Sequence, residues 1–149
     1  MKIKNLGRKK IAYILYATNA VITMIMGSLY MFSSQFMPYH AEALSTTWAE
    51  LAGEYQVLIK ALMLVAGGGW FAVGAIVITL LIFPFRQNQK WSAYAIPAVF
   101  ILFYTPTLLA TLYVLQNTPA TPPWYGNLIS IVVSLLALVA CPPSAMDRE

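Results

Sequence analysis

The stretch that decides the fold is HAEALSTTWAELAGEYQVLIKALMLVAGGGW, residues 40–70. It contains the only histidine of the chain, three of the five carboxylates and the only lysine inside a hydrophobic region. It begins as a polar segment and ends as an apolar, glycine-rich run, which is typical of a loop that leads into a membrane helix. The sequence on either side is mostly apolar, so the candidate chemistry of the chain is concentrated here.

The composition indicates that the solvent of this chain is a lipid bilayer. Of its 149 residues, 60% are hydrophobic and only 9% are charged, and the mean hydropathy is +0.69. Soluble domains carry roughly 25% charged residues, and a chain of this size cannot bury so much apolar surface by itself. The single Cys141 excludes an intramolecular disulfide. The net charge of +4 does not indicate nucleic-acid binding, because the basic residues stand at helix ends.

Hydropathy predicts one all-α domain, residues 1–149, that forms a four-helix transmembrane bundle. The expected spans are residues 11–32, 57–83, 91–115 and 125–141, each near the ~20 residues that a crossing needs. Thr47 and Glu50 fit a capping box at the start of the second helix. A helix from Trp48 to Phe83 would measure ~54 Å, against a hydrocarbon core of ~30 Å. We therefore expect this helix to extend beyond the outer face, or to break near Gly53.

The basic residues predict the orientation in the membrane. With four spans, both termini and the turn at residues 84–90 lie on one side. That side would hold eight basic residues: Lys2, Lys4, Arg8, Lys9, Lys10, Arg86, Lys90 and Arg148. The opposite side has Lys60 and three glutamates. We expect both termini to be cytoplasmic, in the inner (plasma) membrane of a cell.

Small and polar residues predict the helix contacts. Gly53, Gly67 and Gly74 fall on one seven-residue repeat together with Lys60, and Gly68 pairs with Ala72. Membrane helices pack through such small residues. Two polar faces predict hydrogen bonds between helices near the middle of the membrane. They are Tyr16, Asn19 and Thr23 in the first helix, and Asn127, Ser130 and Ser134 in the fourth.

The candidate site residues are His40, Glu42, Glu54 and Lys60. His40 and Glu54 are the candidate metal ligands, since imidazole and carboxylate bind copper, iron or zinc. Glu50 has a structural explanation as a helix cap, and Lys60 as a side chain that snorkels toward the interface. Glu54 has a further explanation as a solvated residue or a partner of Lys60.

The chain resembles small bacterial four-span membrane proteins of the DoxX-like and anthrone-oxygenase-like type. The resemblance rests on the glycine-rich second span (AGGGWFAVG, 66–74), a short basic turn followed by Trp (PFRQNQKW, 84–91) and a proline-containing third span. It implies a four-helix membrane bundle and assigns no catalytic residue. The chain departs from a thiol role of the DoxX kind, because it has no pair of cysteines.

Three functions remain open at this point. The first is a non-catalytic accessory subunit of a larger membrane complex, or a homo-oligomer. The second is a membrane enzyme or carrier for a hydrophobic ligand, a quinone or a lipid, with polar groups at the outer face. The third is a metal-binding membrane protein that holds copper or iron. The expected partners are the bilayer and other membrane subunits or further copies of the chain, and no nucleic acid.

Overall fold

The computed structural model describes residues 2–146, with side chains from residue 7 onward. Its helices are α1 (Lys2–Phe32), α2 (Pro38–Leu44), α3 (Gly53–Leu80), α4 (Lys90–Asn117) and α5 (Trp124–Ala140). A π-helical segment, Leu81–Phe85, continues α3, and single 3₁₀ turns lie at Trp48–Glu50 and Pro143–Ala145. Within this part of the chain, four helices are long and apolar enough to cross a membrane: Gly7–Phe32, Gly53–Phe85, Lys90–Asn117 and Trp124–Ala145. The prediction of an all-helical protein with four spans is confirmed.

The long helices form a bundle in which α1 packs mainly against α3 and α5, and α4 packs mainly against α5. The contact between α3 and α4 is less extensive. We call the end of the bundle that holds residues 33–52 and 118–123 the loop end, and the opposite end the terminal end. Met1 and residues 147–149 lie outside the described residues, so the prediction that places Arg148 beside the other basic residues falls there.

The second predicted helix begins at Gly53 and not at Trp48. The capping box of Thr47 and Glu50 is present, but it closes a single 3₁₀ turn. Leu51 and Ala52 then adopt extended backbone angles before α3 starts. At its other end the helix passes Phe83 and reaches Phe85 through a π-helical turn that contains Pro84. A π-turn accommodates proline because the widened ladder tolerates the missing N–H group.

The contact between α1 and α3 depends on three glycines. A Cβ atom added at Gly27 would lie 2.7 Å from the Gly67 carbonyl oxygen, and one at Gly67 would lie 2.6 Å from the Gly27 carbonyl oxygen. A Cβ at Gly74 would lie 2.7 Å from the Ala20 carbonyl oxygen. These backbones approach more closely than any larger residue allows.

The other two glycines named from the sequence do not take part in this contact. A Cβ added at Gly53 or at Gly68 would meet no atom of the described chain within 4 Å. Gly53 is the first residue of α3, and Gly68 is offset by about 100° around the helix from Gly67, which contacts α1. The seven-residue repeat therefore locates Gly67 and Gly74 in the helix contact but does not extend to Gly53.

A buried polar network joins α1, α4 and α5 in the middle of the bundle. Asn19 Nδ2 donates to the Ser130 carbonyl oxygen at 3.0 Å and to Ser134 Oγ at 3.1 Å. The hydroxyls of Thr23 and Tyr104 share a hydrogen bond of 2.7 Å. The predicted hydrogen bonds between the polar faces of α1 and α5 are confirmed for Asn19 with Ser130 and Ser134. Asn127 instead donates to Thr111 of α4 at 3.2 Å, and the buried Tyr16 hydroxyl has no partner among the described residues. Tyr104 is an additional partner that lies in α4.

Candidate functional site

The four residues predicted to form a site at the loop end have separate partners. Glu42 lies in α2 and accepts hydrogen bonds from the backbone N–H of Thr121, at 3.1 Å, and from its hydroxyl, at 3.3 Å. It thereby ties α2 to the connection between α4 and α5. Glu54 is exposed in the first turn of α3. The two carboxylates are thus used differently, one as a tether and one as a surface charge.

Lys60 stabilises the C-terminal end of α1. Its Nζ atom donates to the carbonyl oxygen of Met31 at 3.1 Å and to that of Ser33. The last carbonyls of a helix have no partner within that helix and carry partial negative charge. Lys60 supplies both the missing donor and a positive charge, and its side chain is partly buried in doing so. The Lys60 ammonium group is thus bonded to backbone carbonyls at the end of α1, whereas a snorkelling lysine would place it in solvent.

Glu50 is explained by its cap. Its Oε2 atom accepts from the Thr47 backbone N–H at 2.9 Å and from the Thr47 hydroxyl at 2.8 Å. The backbone N–H of Thr47, followed by the hydroxyls of Thr47 and Thr46, holds the pKa of this carboxyl below its ordinary value. The structural interpretation of Glu50 is confirmed.

The described residues do not gather metal ligands. Among residues 7–146, no group of three or more His, Cys, Asp or Glu side chains lies close enough to hold an ion. Glu42 is hydrogen-bonded to Thr121, as described above. The hypothesis of a copper or iron site at His40 and Glu54 therefore has no geometric support in this part of the chain.

His40 lies in α2, and its ring belongs to an aromatic cluster. Its ring centroid is 4.3 Å from that of Tyr39, 6.2 Å from that of Tyr30 and 6.4 Å from that of Phe36. The Nδ1 atom is buried and has no hydrogen-bond partner among the described residues. Burial lowers the pKa of the imidazole below its ordinary value, because the charged form loses its hydration.

His40 lines a cavity that we call the chamber. It has a volume of about 380 Å³ and lies where α1, α2, α3 and α4 meet at the loop end. Its wall consists of Tyr30, His40, Ala43, Leu44, Ile59, Leu62, Met63, Ala66 and Val114. Ligand pockets in proteins are mostly apolar with a few polar groups that fix orientation. The chamber has this character, with Tyr30 and His40 as its polar residues.

The chamber ends at a layer of aromatic rings. Tyr30 stacks on Trp70, with ring centroids 6.2 Å apart and planes inclined by 8°. Trp70 in turn meets Phe103 and Tyr104 of α4 edge to face, each at 5.7 Å. All the α3 residues in the chamber wall precede Trp70, so this aromatic contact closes the chamber toward the middle of the bundle. On the loop-end side of it, α3 and α4 leave room for the chamber.

The chamber is also open at its side. Leu62 lines it and is nevertheless 60% exposed, and Ala66 is exposed as well. Both residues lie in α3, which is long and apolar enough to cross a membrane.

A second, larger cavity has a different character. It measures about 770 Å³ and follows the outer surface of α1 beside Phe71. Its polar members are Ser28 and Ser33, and the Ser28 hydroxyl is already bonded to the Met24 carbonyl oxygen at 2.9 Å. This cavity is an apolar groove on the lipid-facing surface.

Tyr30, Tyr39 and Trp70 were not among the residues named from the sequence. The hydroxyls of Tyr30 and Tyr39 are hydrogen-bonded to each other and connect α1 to α2. One sequence signal points to Tyr30, which follows Thr23 by seven residues and so continues the polar face of α1. No comparable signal identifies Tyr39, because its position depends on how the loop folds back over the bundle.

The fold and the chamber define a multi-pass α-helical membrane protein with an apolar cavity between its helices. No family model, curated protein or solved structure matches the chain. The likeness to DoxX-like and anthrone-oxygenase-like proteins therefore stays a resemblance in layout.

Proposed function

We propose that this protein binds a hydrophobic ligand, a quinone or a lipid, in the chamber at the loop end. The observation that carries the proposal is the cavity of about 380 Å³, which has an apolar wall, two polar residues and an opening beside the exposed Leu62. The wall comes from four helices that are far apart in sequence. Tyr30 and His40 are the polar residues of the wall and would contact the polar part of the ligand.

The residues proposed to bind the ligand differ from those predicted from the sequence. Glu54 and Lys60 are not among the residues that form the chamber wall, and Lys60 is bonded to the end of α1. His40 keeps the predicted role and Tyr30 joins it. We propose binding or carriage of the ligand as the role of this arrangement.

We further propose that the loop end faces the periplasm and that both termini face the cytoplasm of a bacterial inner membrane. Five basic residues with described side chains lie at the terminal end: Arg8, Lys9, Lys10, Arg86 and Lys90. The loop end carries three glutamates and Lys60. Basic residues favour the cytoplasmic side. In this orientation the chamber lies in the outer leaflet.

The ligand proposal is tested by filling the chamber. Ala66→Phe places a ring in the cavity, whereas Ala61→Phe places the same ring at an exposed position of α3 that is not part of the chamber wall, five residues nearer the loop end. The protein and both variants are purified in a mild neutral detergent, and their bound lipids are extracted and identified by mass spectrometry. We expect one lipid class in about equimolar amount with the wild type and with Ala61→Phe, and its loss from Ala66→Phe. Equal recovery from both variants would contradict the proposal.

A second candidate function is association with other membrane subunits or with further copies of the chain. Gly68 and Ala72 lie four residues apart on one side of α3, and a Cβ at Gly68 meets no atom of the described residues within 4 Å. Small residues on an uncovered face favour helix contacts in lipid. Light scattering of the detergent-solubilised protein tests this candidate. A larger assembly that becomes monomeric in Gly68→Leu supports it, and a monomeric wild type contradicts it.

A further inference from the structure

We infer that the occupant of the chamber is an uncharged amphiphile whose head group carries a hydroxyl or a carbonyl. This inference rests on the proposed ligand-binding function and specifies the chemical class of the ligand. It separates diacylglycerol-like, alcohol-like or quinone-like molecules from phospholipids and fatty-acid anions. Two properties support it: the wall of the chamber is apolar and uncharged, and Lys60 and Glu42 are hydrogen-bonded elsewhere.

The first step is that the wall provides no counter-charge. Of the nine residues that form it, seven are apolar, and the other two are Tyr30 and His40. His40 is half-buried with a sealed, unpartnered Nδ1 atom, so a proton added there would have no acceptor. A charged head group would therefore enter an apolar site without a partner, which is costly unless the charge is paired.

The second step is that two charged side chains that neighbour wall residues in sequence, Lys60 and Glu42, already have hydrogen-bond partners. Lys60 follows the wall residue Ile59 directly in sequence, but its Nζ atom is bonded to the carbonyls at the end of α1. Glu42 precedes the wall residue Ala43, but its carboxylate is bonded to Thr121. Recruiting either of them to a charged ligand would break a tether of α1 or of α2. Lys60 and Glu42 therefore stabilise the fold and are not available to pair with a ligand.

The third step is that the wall retains capacity for neutral hydrogen bonds. The hydroxyls of Tyr30 and Tyr39 bond to each other, and in such a pair one hydroxyl donates while the other keeps its own hydrogen. Because Nδ1 is buried, a neutral imidazole adds one further group at Nε2, which donates or accepts according to the tautomer. A carbonyl can accept from the tyrosine pair, and a hydroxyl can bond to either group.

The volume of the chamber limits the size of the ligand. Pockets for drug-sized molecules occupy ~300–1,000 Å³, and the chamber lies near the lower limit at about 380 Å³. It holds a small head group and the start of a chain. The remainder of the chain lies in the side opening beside Leu62, in contact with the bilayer.

The test compares three probes that share one C18:1 chain and differ in head group: oleyl alcohol, oleyl sulfate and oleyl trimethylammonium. Each is titrated into the full-length protein in neutral detergent, and binding is followed by native mass spectrometry and by the shift in melting temperature. We expect saturable binding of oleyl alcohol at least ~10-fold tighter than that of either charged probe. Ala66→Phe should abolish this binding, and Ala61→Phe should leave it unchanged.

A hydroxyl deletion tests the assigned head-group contact. Tyr30→Phe should weaken binding of oleyl alcohol about 3- to 10-fold, whereas Tyr113→Phe, at an exposed position of α4, should not. If a charged probe binds as tightly as the alcohol and is displaced by Ala66→Phe, the inference on ligand class is overturned while the ligand site stands. If none of the probes binds saturably, both this inference and the proposed function fail.

Discussion

Two of the described cations, Lys60 and Arg8, act on backbone carbonyls at the end of another helix. Lys60 donates to the last carbonyls of α1. Arg8 does the same at the end of α5, where its Nε atom donates to the Ala140 carbonyl oxygen at 2.9 Å and its Nη2 atom to that of Val139 at 3.1 Å. Helix C-termini carry partial negative charge and unpaired acceptors. These cations therefore stabilise the ends of the helices, because the unpaired carbonyl groups of the backbone lie there.

Replacement of Lys60 by methionine tests this role. Lys60→Met keeps the length and apolar stem of the side chain but removes the donor and the charge. We expect the free energy of unfolding to fall by about 1–3 kcal/mol, the usual contribution of hydrogen bonds from a partly buried charged group. Reversible unfolding of the detergent-solubilised protein by SDS measures it. Lys10→Met, at an exposed position, is the control. An equal loss in both variants would contradict the assigned role.

His40 should make stability depend on pH in one direction. Its pKa is lower in the folded protein than in the unfolded chain, for which ~6.5 is usual. The unfolded chain therefore binds a proton first as the pH falls. Stability is highest above the unfolded pKa and is lost as the pH falls from there toward the folded pKa. The pH window of the effect thus begins near the unfolded value and extends downward.

The variant His40→Phe isolates this contribution, because phenylalanine keeps the aromatic packing and does not titrate. We expect the melting temperature of the wild type to fall more than that of His40→Phe between about pH 7.5 and about pH 5. Carboxylates titrate in both proteins, so only the difference between them reports on His40. Parallel curves would show that His40 does not couple protonation to folding.

At the scale of helices, the pairing of α1 with α3 depends on backbone contact. Gly27, Gly67 and Gly74 allow the two helices to approach until backbone atoms touch. Apolar burial provides no driving force between helices in lipid, so close packing and hydrogen bonds have to supply it. This pair also positions Tyr30 against Trp70 and so forms one wall and the inner boundary of the chamber.

Adjacent glycines in α3 provide a matched test of this contact. In Gly67→Ala the new methyl group would lie 2.6 Å from the Gly27 carbonyl oxygen, whereas in Gly68→Ala it would meet no atom within 4 Å. We expect Gly67→Ala to destabilise the protein by about 1–3 kcal/mol, as overpacking does. Gly68→Ala should be neutral or slightly stabilising, since alanine favours helix. Unfolding by SDS compares them, and equal effects would contradict the proposed contact.

At the scale of the whole molecule, the charges of the two ends differ in sign. The terminal end is basic and the loop end is mainly acidic among the described residues. The short helix α2 lies across the loop end and is held there by the Tyr39–Tyr30 and Glu42–Thr121 bonds. The terminal end is thus basic, whereas the loop end is covered by α2. The chamber lies beneath α2.

Cysteine labelling tests the proposed orientation. Ser34→Cys and Gln87→Cys place thiols at exposed positions of the loop end and of the turn between α3 and α4. Both are made with Cys141→Ser, which removes the buried native thiol. We expect a membrane-impermeant maleimide to label Ser34→Cys in spheroplasts, and Gln87→Cys only after permeabilisation. The reverse pattern would place the termini outside the cytoplasm.

The sequence predicted those features that depend on local composition. The four spans follow from hydropathy, and the buried polar contacts follow from the spacing of Asn19, Ser130 and their neighbours. The same reasoning identified Lys60 as unusual but not its partners, because Met31 and Ser33 are distant in sequence and act through their backbone oxygens. It assigned Gly53 and Gly68 to packing, because a repeat does not show which face of a helix meets a neighbour.

By itself, then, the sequence determined that the chain is a four-span helical membrane protein, and it located the polar residues of its helices. These properties depend on the free energy of transfer of each segment into lipid, which is nearly independent of the other segments. Only the tertiary structure decided that His40 meets Tyr30 and Tyr39, that Glu42 and Lys60 are committed to the backbone, and that α3 and α4 leave a chamber between them. Those features depend on contacts between segments that are distant in sequence, and hydropathy carries no information about how such segments are arranged.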